Sequence, residues 1–156
     1  MSSLDSRPLF IFEMANNHMG DVNHGLRIVR EFAEVARQFE FGFAFKMQYR
    51  DLATCIHPDF RTRYDHKFVK RFSETALSHD DLKRIKDEIC RAGMLSICTP
   101  WDEPSVDLIE RHGFDVLKIP SCYLTDWPLL ERIVKSDKPV IAYVAGSPLE
   151  EIDKVV

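Results

Sequence analysis

The sequence predicts an α/β fold built on a parallel sheet, and three observations carry that prediction. Short runs rich in Phe, Ile, Val and Leu alternate with stretches whose apolar residues recur at helical spacing. Helix caps and stops punctuate the chain between them. The connections are short except over residues 50–77, which suits crossover helices between neighbouring parallel strands.

Leu9-Phe10-Ile11-Phe12 reads as the first strand, entered from Pro8 and ended by the polar cluster Asn16-Asn17-His18. Over 24–39, Leu26, Val29, Phe32, Ala33, Ala36 and Phe39 fall on one helical face, with Asp21 or Asn23 as the cap. Phe41 to Phe45 is the second strand. The segment 50–77 carries Arg50, Arg61, Arg63, Lys67, Lys70 and Arg71 and predicts one short helix near 66–72; a lid and a solvated basic face are both open for it. Ser78-His79-Asp80-Asp81 opens a helix with Leu82, Ile85 and Ile89 on one side and Gly93 past its end. Met94 to Cys98 is the third strand. Pro104 begins a helix that Gly113 stops, and Val116 to Ile119 is the fourth strand. Asp126-Trp127-Pro128 starts a helix running to Val134, Val140 to Val144 is the fifth strand, and Ser147-Pro148-Leu149-Glu150 caps a last helix. With that helix starting so near Val156 and the edges of five strands uncovered, the expectation is the first part of something longer, with a homo-oligomer as one way to hide the edges.

Composition narrows the function. At 156 residues, 45% hydrophobic and 29% charged, the chain is too apolar for intrinsic disorder. A net charge of −4 argues against a nucleic-acid partner. No apolar run approaches the roughly 20 residues that span a bilayer, and MSSLDSRPLFIFEM, with Asp5 and a four-residue apolar run, is no signal peptide. Cys55, Cys90, Cys98 and Cys122 fit no zinc or redox spacing. Reduced thiols and a cytoplasmic protein are expected.

Polar residues gather at and just after the ends of the apolar strands: Glu13, Asn16, Asn17 and His18 after the first, Lys46 and Gln48 after the second, Thr99 and Asp102 after the third, with the fourth ending in Lys118 and Ser121 and the fifth in Tyr143. Parallel α/β sheets bind ligands beyond the carboxyl ends of their strands. Lys46 and Gln48 are two apart and share a face, and two strand-end lysines suit an anionic substrate. Ser121 and the helix start near Asp126 add neutral donors. Either lysine alone reads as well as an ordinary side chain reaching solvent.

Glu13-Met14-Ala15-Asn16-Asn17-His18-Met19-Gly20-Asp21 resembles the first-strand motif of the sialic acid synthases, Glu-Ile-Gly-x-Asn-His-Asn-Gly-Asp. The resemblance continues in register through Phe45-Lys46-Met47-Gln48, Ile97-Cys98-Thr99-Pro100 with Asp102-Glu103-Pro104-Ser105-Val106, Leu117-Lys118-Ile119-Pro120-Ser121 and Asp126-Trp127-Pro128-Leu129-Leu130. Lys138-Pro139-Val140-Ile141 and Leu149-Glu150-Glu151-Ile152 match as well. The resemblance implies a (β/α)₈ barrel, usually followed by a small antifreeze-like domain, of which residues 1–156 would be the N-terminal portion, about five of eight units with no second domain. It implies condensation of phosphoenolpyruvate with N-acetylmannosamine or a related N-acyl amino sugar, with release of phosphate. It also implies a divalent metal, Mn²⁺ or Mg²⁺, that polarises the sugar aldehyde. By position Lys46, Lys118 and Ser121 would hold the phosphate and carboxylate, Gln48 and Thr99 would line the pocket, and Glu13 would be the carboxylate near the reacting carbons. Asn17 and His18 fall inside the first motif and are taken as binding residues.

Departures set limits on what carries over. Tyr143-Val144-Ala145-Gly146 stands where the family has Ser-Thr-Gly-Met, replacing a phosphate-binding hydroxyl with a ring that could fill the pocket. Cys122-Tyr123 stands where Gly-Glu is usual, so a carboxylate near the sugar is missing. The family's metal-binding histidines and sugar-clamping arginine come from later segments, so no metal ligand is expected in these residues and the chain alone is expected to lack synthase activity. A Schiff-base aldolase using Lys118 or Lys46 and a non-catalytic fragment are the alternatives. Elsewhere the plain readings prevail: His57, Asp59, Asp65 and His66 lie in a surface loop, His112 is structural at a helix end, Cys98 and Cys122 are buried inert thiols, Asn16 and Asn17 shape a turn, and Phe10, Phe12, Phe32, Phe39 and Phe41 are core.

Overall fold

The structure is a computed structural model and describes residues 8–155. Asp5 and Val156, on which the readings of the two ends rested, lie outside them. Strands β1 (Leu9–Glu13), β2 (Gly42–Tyr49), β3 (Leu95–Pro100), β4 (Val116–Ile119) and β5 (Val140–Ala142) form one sheet in chain order. Each neighbouring pair is parallel. The helices are α1 (Val22–Ala36), α2 (Leu52–Cys55), α3 (Lys67–Glu74), α4 (His79–Arg91), α5 (Glu103–His112), α6 (Trp127–Ile133) and α7 (Leu149–Val155). Single 3₁₀ turns occupy Pro58–Phe60 and Ser121–Tyr123. The result is a half-barrel of five parallel β/α units.

Local chemistry fixes where the helices start and stop. Asp21, Ser78, Asp102 and Asp126 each accept a backbone N–H from the first turn of the helix that follows. Gly113 ends α5 in the left-handed region, which glycine enters without strain. The helix expected over 24–39 covers Val22–Ala36 instead, because the amides of Gln38 and Phe39 turn back to the carbonyls of Val35 and Ala36. The last helix begins at Leu149, two residues after the expected cap.

Strand alternation divides the sheet into two surfaces. Phe45, Met47, Tyr49, Cys98, Leu117 and Ile119 join Leu26, Val29, Ile85, Ile89, Ile109 and Ile133 of the helices in the main core. Ala44, Ile97 and Val116 form a second, small core on the opposite, concave face. Two steps along from those three residues lie Lys46, Thr99 and Lys118, on the same face. These residues therefore stand above a dry floor at the carboxyl ends of the strands.

Three expectations need correcting. Lys46, Gln48 and Thr99 lie within β2 and β3 rather than after them, since a charged side chain on the concave face leaves its backbone free to continue the ladder. β5, in contrast, stops at Ala142. The phenylalanines expected in the core are largely at the surface: Phe10 is 50% and Phe39 53% exposed, with Phe32 and Phe41 also exposed and Phe12 partly buried. β1 is an edge strand, and Phe39 and Phe41 lie beyond the end of α1, so these rings pack on one another, Phe12 lying 4.8 Å from Phe32 of α1 and Phe10 4.9 Å from Phe41. No helix among the described residues is long and apolar enough to cross a membrane.

Candidate functional site

The parallel register sets Glu13 beside Lys46 and Gln48 beside Thr99, with Lys118 beside Ile141. The Lys46 ammonium is ion-paired with Glu13 Oε2, and Glu13 Oε1 accepts the Ala15 amide at 3.0 Å. Gln48 Nε2 lies 3.5 Å from the same Oε1. Thr99 is buried, and its hydroxyl has no hydrogen-bond partner among the described residues. A buried hydroxyl left unmet points to a ligand or water that completes it.

Lys118 is different from Lys46. Among the described residues no carboxylate pairs with it, and its Nζ sits 5.1 Å from the centre of the Tyr143 ring. Partial burial, followed by the charge of Lys46, holds its ammonium below the ordinary lysine value. The Tyr143 amide bonds the Ile119 carbonyl at 3.0 Å, which extends the ladder past β5 and carries the ring over Lys118. One ammonium thus has a carboxylate and the other, among the described residues, has none, and an anion placed between the two would relieve their repulsion.

The loop after β1 is wound tightly, with positive φ at Ala15 and Met19 as well as at Gly20. His18 is buried there, and its Nδ1 accepts the Gly20 amide at 3.2 Å, so it ties the loop together while also lining a cavity with Gln48 and Arg50. Asn17 is exposed, but Asn16 is buried. Asn16 Nδ2 donates to Thr75 Oγ1 at 2.6 Å and its Oδ1 accepts from Arg50 at 3.2 Å. Of the neighbouring pair, Asn16 is thus the one turned toward the site.

Ser121 opens the 3₁₀ turn after β4, partly buried, and its hydroxyl is unengaged among the described residues. The helix start near Asp126 offers less than expected, since the Asp126 carboxylate already accepts from Leu129 N at 3.3 Å. Asp102 is likewise committed, accepting from Ser105 N and Asp51 N at 2.8 Å each.

Residues 41–156 match the NeuB family. The chain belongs to that family. It is 29% identical over 161 residues to N,N'-diacetyllegionaminic acid synthase of Campylobacter jejuni, covering 96% of this chain and 46% of that protein. A spore coat polysaccharide biosynthesis protein E from Chromobacterium violaceum has a solved structure that superposes with a TM-score of 0.92 at 56% identity, over 96% of this chain and 44% of its own. The N-acetylneuraminic acid synthetase of Leptospira borgpetersenii superposes with a TM-score of 0.77 at 24% identity, over 96% of this chain and 48% of its own, a likeness of fold. The chain spans less than half the length of the curated relatives it matches.

For a NeuB-family chain, the placement of the remaining candidates is informative. Among the described residues no group of three or more His, Cys, Asp or Glu side chains could hold a metal ion, and Glu13 is tied to Lys46, so these residues do not make up the ligand set of a divalent cation. His57, Asp59 and His66 are exposed, and Asp65 pairs with Arg63 at 2.7 Å. His112 accepts from or donates to the Tyr49 hydroxyl at 2.9 Å, a structural bond. Cys98 is buried with its thiol pushed up by burial, but Cys122 is exposed, contrary to expectation. The basic segment resolves into exposed side chains except Arg50, whose guanidinium lies between the rings of Phe72 and Trp101. The sequence reading took Arg50 as one basic residue of the long segment and Asn16 as a turn residue, and missed the bond between them; the one available signal was Arg50's position two residues beyond Gln48, on the same alternation.

Proposed function

We propose that the strand ends bind phosphoenolpyruvate and that the site serves an N-acetylneuraminate-type synthase, condensing phosphoenolpyruvate with N-acetylmannosamine or a related N-acyl amino sugar. In that reaction the methylene carbon of phosphoenolpyruvate forms a bond to the sugar aldehyde carbon, whose oxygen takes up the carbonyl electron pair and a proton. Water adds at the neighbouring, phosphate-bearing carbon and gives up a proton, and the bond from that carbon to the phosphate oxygen then breaks to release phosphate. The observation that carries the reading is Lys46 and Lys118 on one concave face, with the Glu13 carboxylate paired to Lys46 alone of the two. Preorganised cations of this kind stabilise charge growing on a departing phosphate.

Each residue has a part that its surroundings support. Lys118, without a carboxylate of its own, is the principal partner of the anion, and Lys46 shares its charge between the anion and Glu13. The Thr99 hydroxyl, Ser121 and the Gln48 amide supply neutral donors, while Asn17 and His18 shape the adjoining loop. Glu13 holds a carboxylate where the reacting carbons would meet and is placed to move a proton. A divalent metal, Mn²⁺ or Mg²⁺, would draw its ligands from outside the described residues. The 156 residues by themselves are accordingly expected to bind the anion without turning it over. Four free cysteines suit the reducing cytoplasm as the place of work.

The test is a calorimetric titration of phosphoenolpyruvate into the purified chain and into Lys118→Ala. Saturable binding that the substitution abolishes is the expected result. A folded chain that takes up no phosphoenolpyruvate, or a variant that binds it unchanged, overturns the assignment.

One observation favours a second reading. An ammonium with a depressed pKa, lying against an aromatic ring and lacking a carboxylate, is also what a Schiff-base lysine needs. Borohydride trapping with pyruvate distinguishes the two: a covalent adduct on Lys118 supports the aldolase, and none leaves the synthase reading in place.

A further inference from the structure

We propose that Arg50 is a positioning residue that fixes the orientation of the Gln48 amide, so that Gln48 faces the strand-end pocket as a donor. The consequence for ligand binding rests on the phosphoenolpyruvate reading above, whereas the orientation of the amide does not. An arginine carries five N–H donors and no acceptor, and an ionised carboxylate only accepts. Gln48 lies between one of each. The Arg50 guanidinium donates to Gln48 Oε1, while Gln48 Nε2 is on the Glu13 side, 3.5 Å from Oε1. Rotating the amide by half a turn would set its NH₂ against the guanidinium and its oxygen against the carboxylate. Both neighbours therefore select the same orientation, and the NH₂ group is the end turned toward Glu13, the ion-pair partner of Lys46.

This selection works only if the guanidinium is itself held, and the structure holds it from three sides. Its carbon lies 4.3 Å from the centre of the Phe72 ring on α3 and 4.4 Å from that of Trp101 after β3. The Arg50 Nε is buried with no hydrogen-bond partner among the described residues, so at that atom the stack supplies the restraint. Arg50 also donates to Asn16 Oδ1 at 3.2 Å, Asn16 donates to Thr75 Oγ1, and Thr75 donates to the Arg71 carbonyl at 2.7 Å. The chain Gln48–Arg50–Asn16–Thr75 thus ties the end of β2 to the loop after β1 and to the end of α3. This gives the long segment 50–77 a role that its exposed basic residues do not: it carries one wall and one anchor of the arginine.

The test begins without ligand. In ¹⁵N-labelled protein the Gln48 side-chain NH₂ signal, identified by its loss in Gln48→Leu, is expected at a dispersed position with relaxation close to that of the β2 backbone. In Arg50→Met it is expected to move to the averaged position of exposed glutamines and become mobile, while the backbone signals of β2 confirm that the variant is folded. Arg50→Lys, which keeps the charge but not the planar fork, is expected to behave like Arg50→Met. A mobile Gln48 amide in the unaltered protein, or an ordered one in either variant, overturns the proposal.

Phosphoenolpyruvate titrations then separate positioning from direct charge. Arg50→Met is expected to weaken binding about three- to tenfold, a single hydrogen bond's effect, and to have no effect in a Gln48→Leu background. Equal weakening in both backgrounds would mean that Arg50 acts on the anion through its own charge, and the proposal falls. If the unaltered chain binds no phosphoenolpyruvate, the function proposed above fails, while the amide signal still decides the role of Arg50.

Discussion

Buried in the loop after β1, His18 holds the Gly20 amide on Nδ1, and burial together with the nearby Arg50 charge keeps its imidazole below the ordinary value of 6.5. His112 is lowered as well, mainly by burial and then by Lys83. Between their folded values and 6.5 the unfolded chain binds more protons than the folded one, so stability rises with pH across that window. Their contribution is complete above pH 6.5 and is lost as the medium is acidified. Denaturant titrations from pH 7.5 down to 5 are expected to show a falling midpoint, and His18→Asn and His112→Asn are each expected to remove part of that slope. At this scale the candidate residues could be read by position in the chain, because Glu13, Lys46, Gln48, Thr99 and Lys118 all follow apolar runs. What could not be read was their pairing: the Lys46–Glu13 ion pair, the turn of Asn16 toward Arg50 and the stacking of Lys118 on Tyr143 each depend on neighbours distant in sequence.

The elements themselves were mostly legible, since caps are local chemistry. Asp102 is the most heavily used of them, serving α5 through Ser105 N and the start of α2 through Asp51 N. Asp102→Ala leaves both donors unmet and is expected to destabilise the fold by about 2–3 kcal/mol, against about 1 kcal/mol for Ser78→Ala, where one cap bond to Asp81 N is lost. Thermal unfolding of the two variants side by side checks the difference. Strand ends were harder to place than helix starts. Strand β2 runs on through Lys46 and Gln48 because the backbone ladder ignores what the concave face carries, and hydropathy alone stops at the first charge. Strand β5, in contrast, gives up its expected last two residues, with Tyr143 still bonded to β4 but outside the strand.

Over the whole molecule, the sheet has two edges that no described strand covers, at β1 and at β5. The aromatic residues around β1, Phe10, Phe39 and Phe41 among them, are exposed beside one of these edges. Burial there was expected from composition, yet a phenylalanine is core only if something packs on it, and whether it does is a property of the assembled sheet. Edges of this kind favour association, so the 156-residue chain is expected to sediment above its 18.2 kDa. Phe10→Lys, a charge set on the edge strand, is expected to shift it toward the monomer; an unaltered chain that sediments as a monomer contradicts this. The stack around Arg50 has a practical side of its own. The chain has two tryptophans; Trp101 is partly buried against the guanidinium and the Tyr123 ring, and Trp127 is 47% exposed at the start of α6. Replacing Trp127 by Phe would leave one indole as the source of fluorescence. Its emission would then report, without any label, on the arginine that holds Gln48.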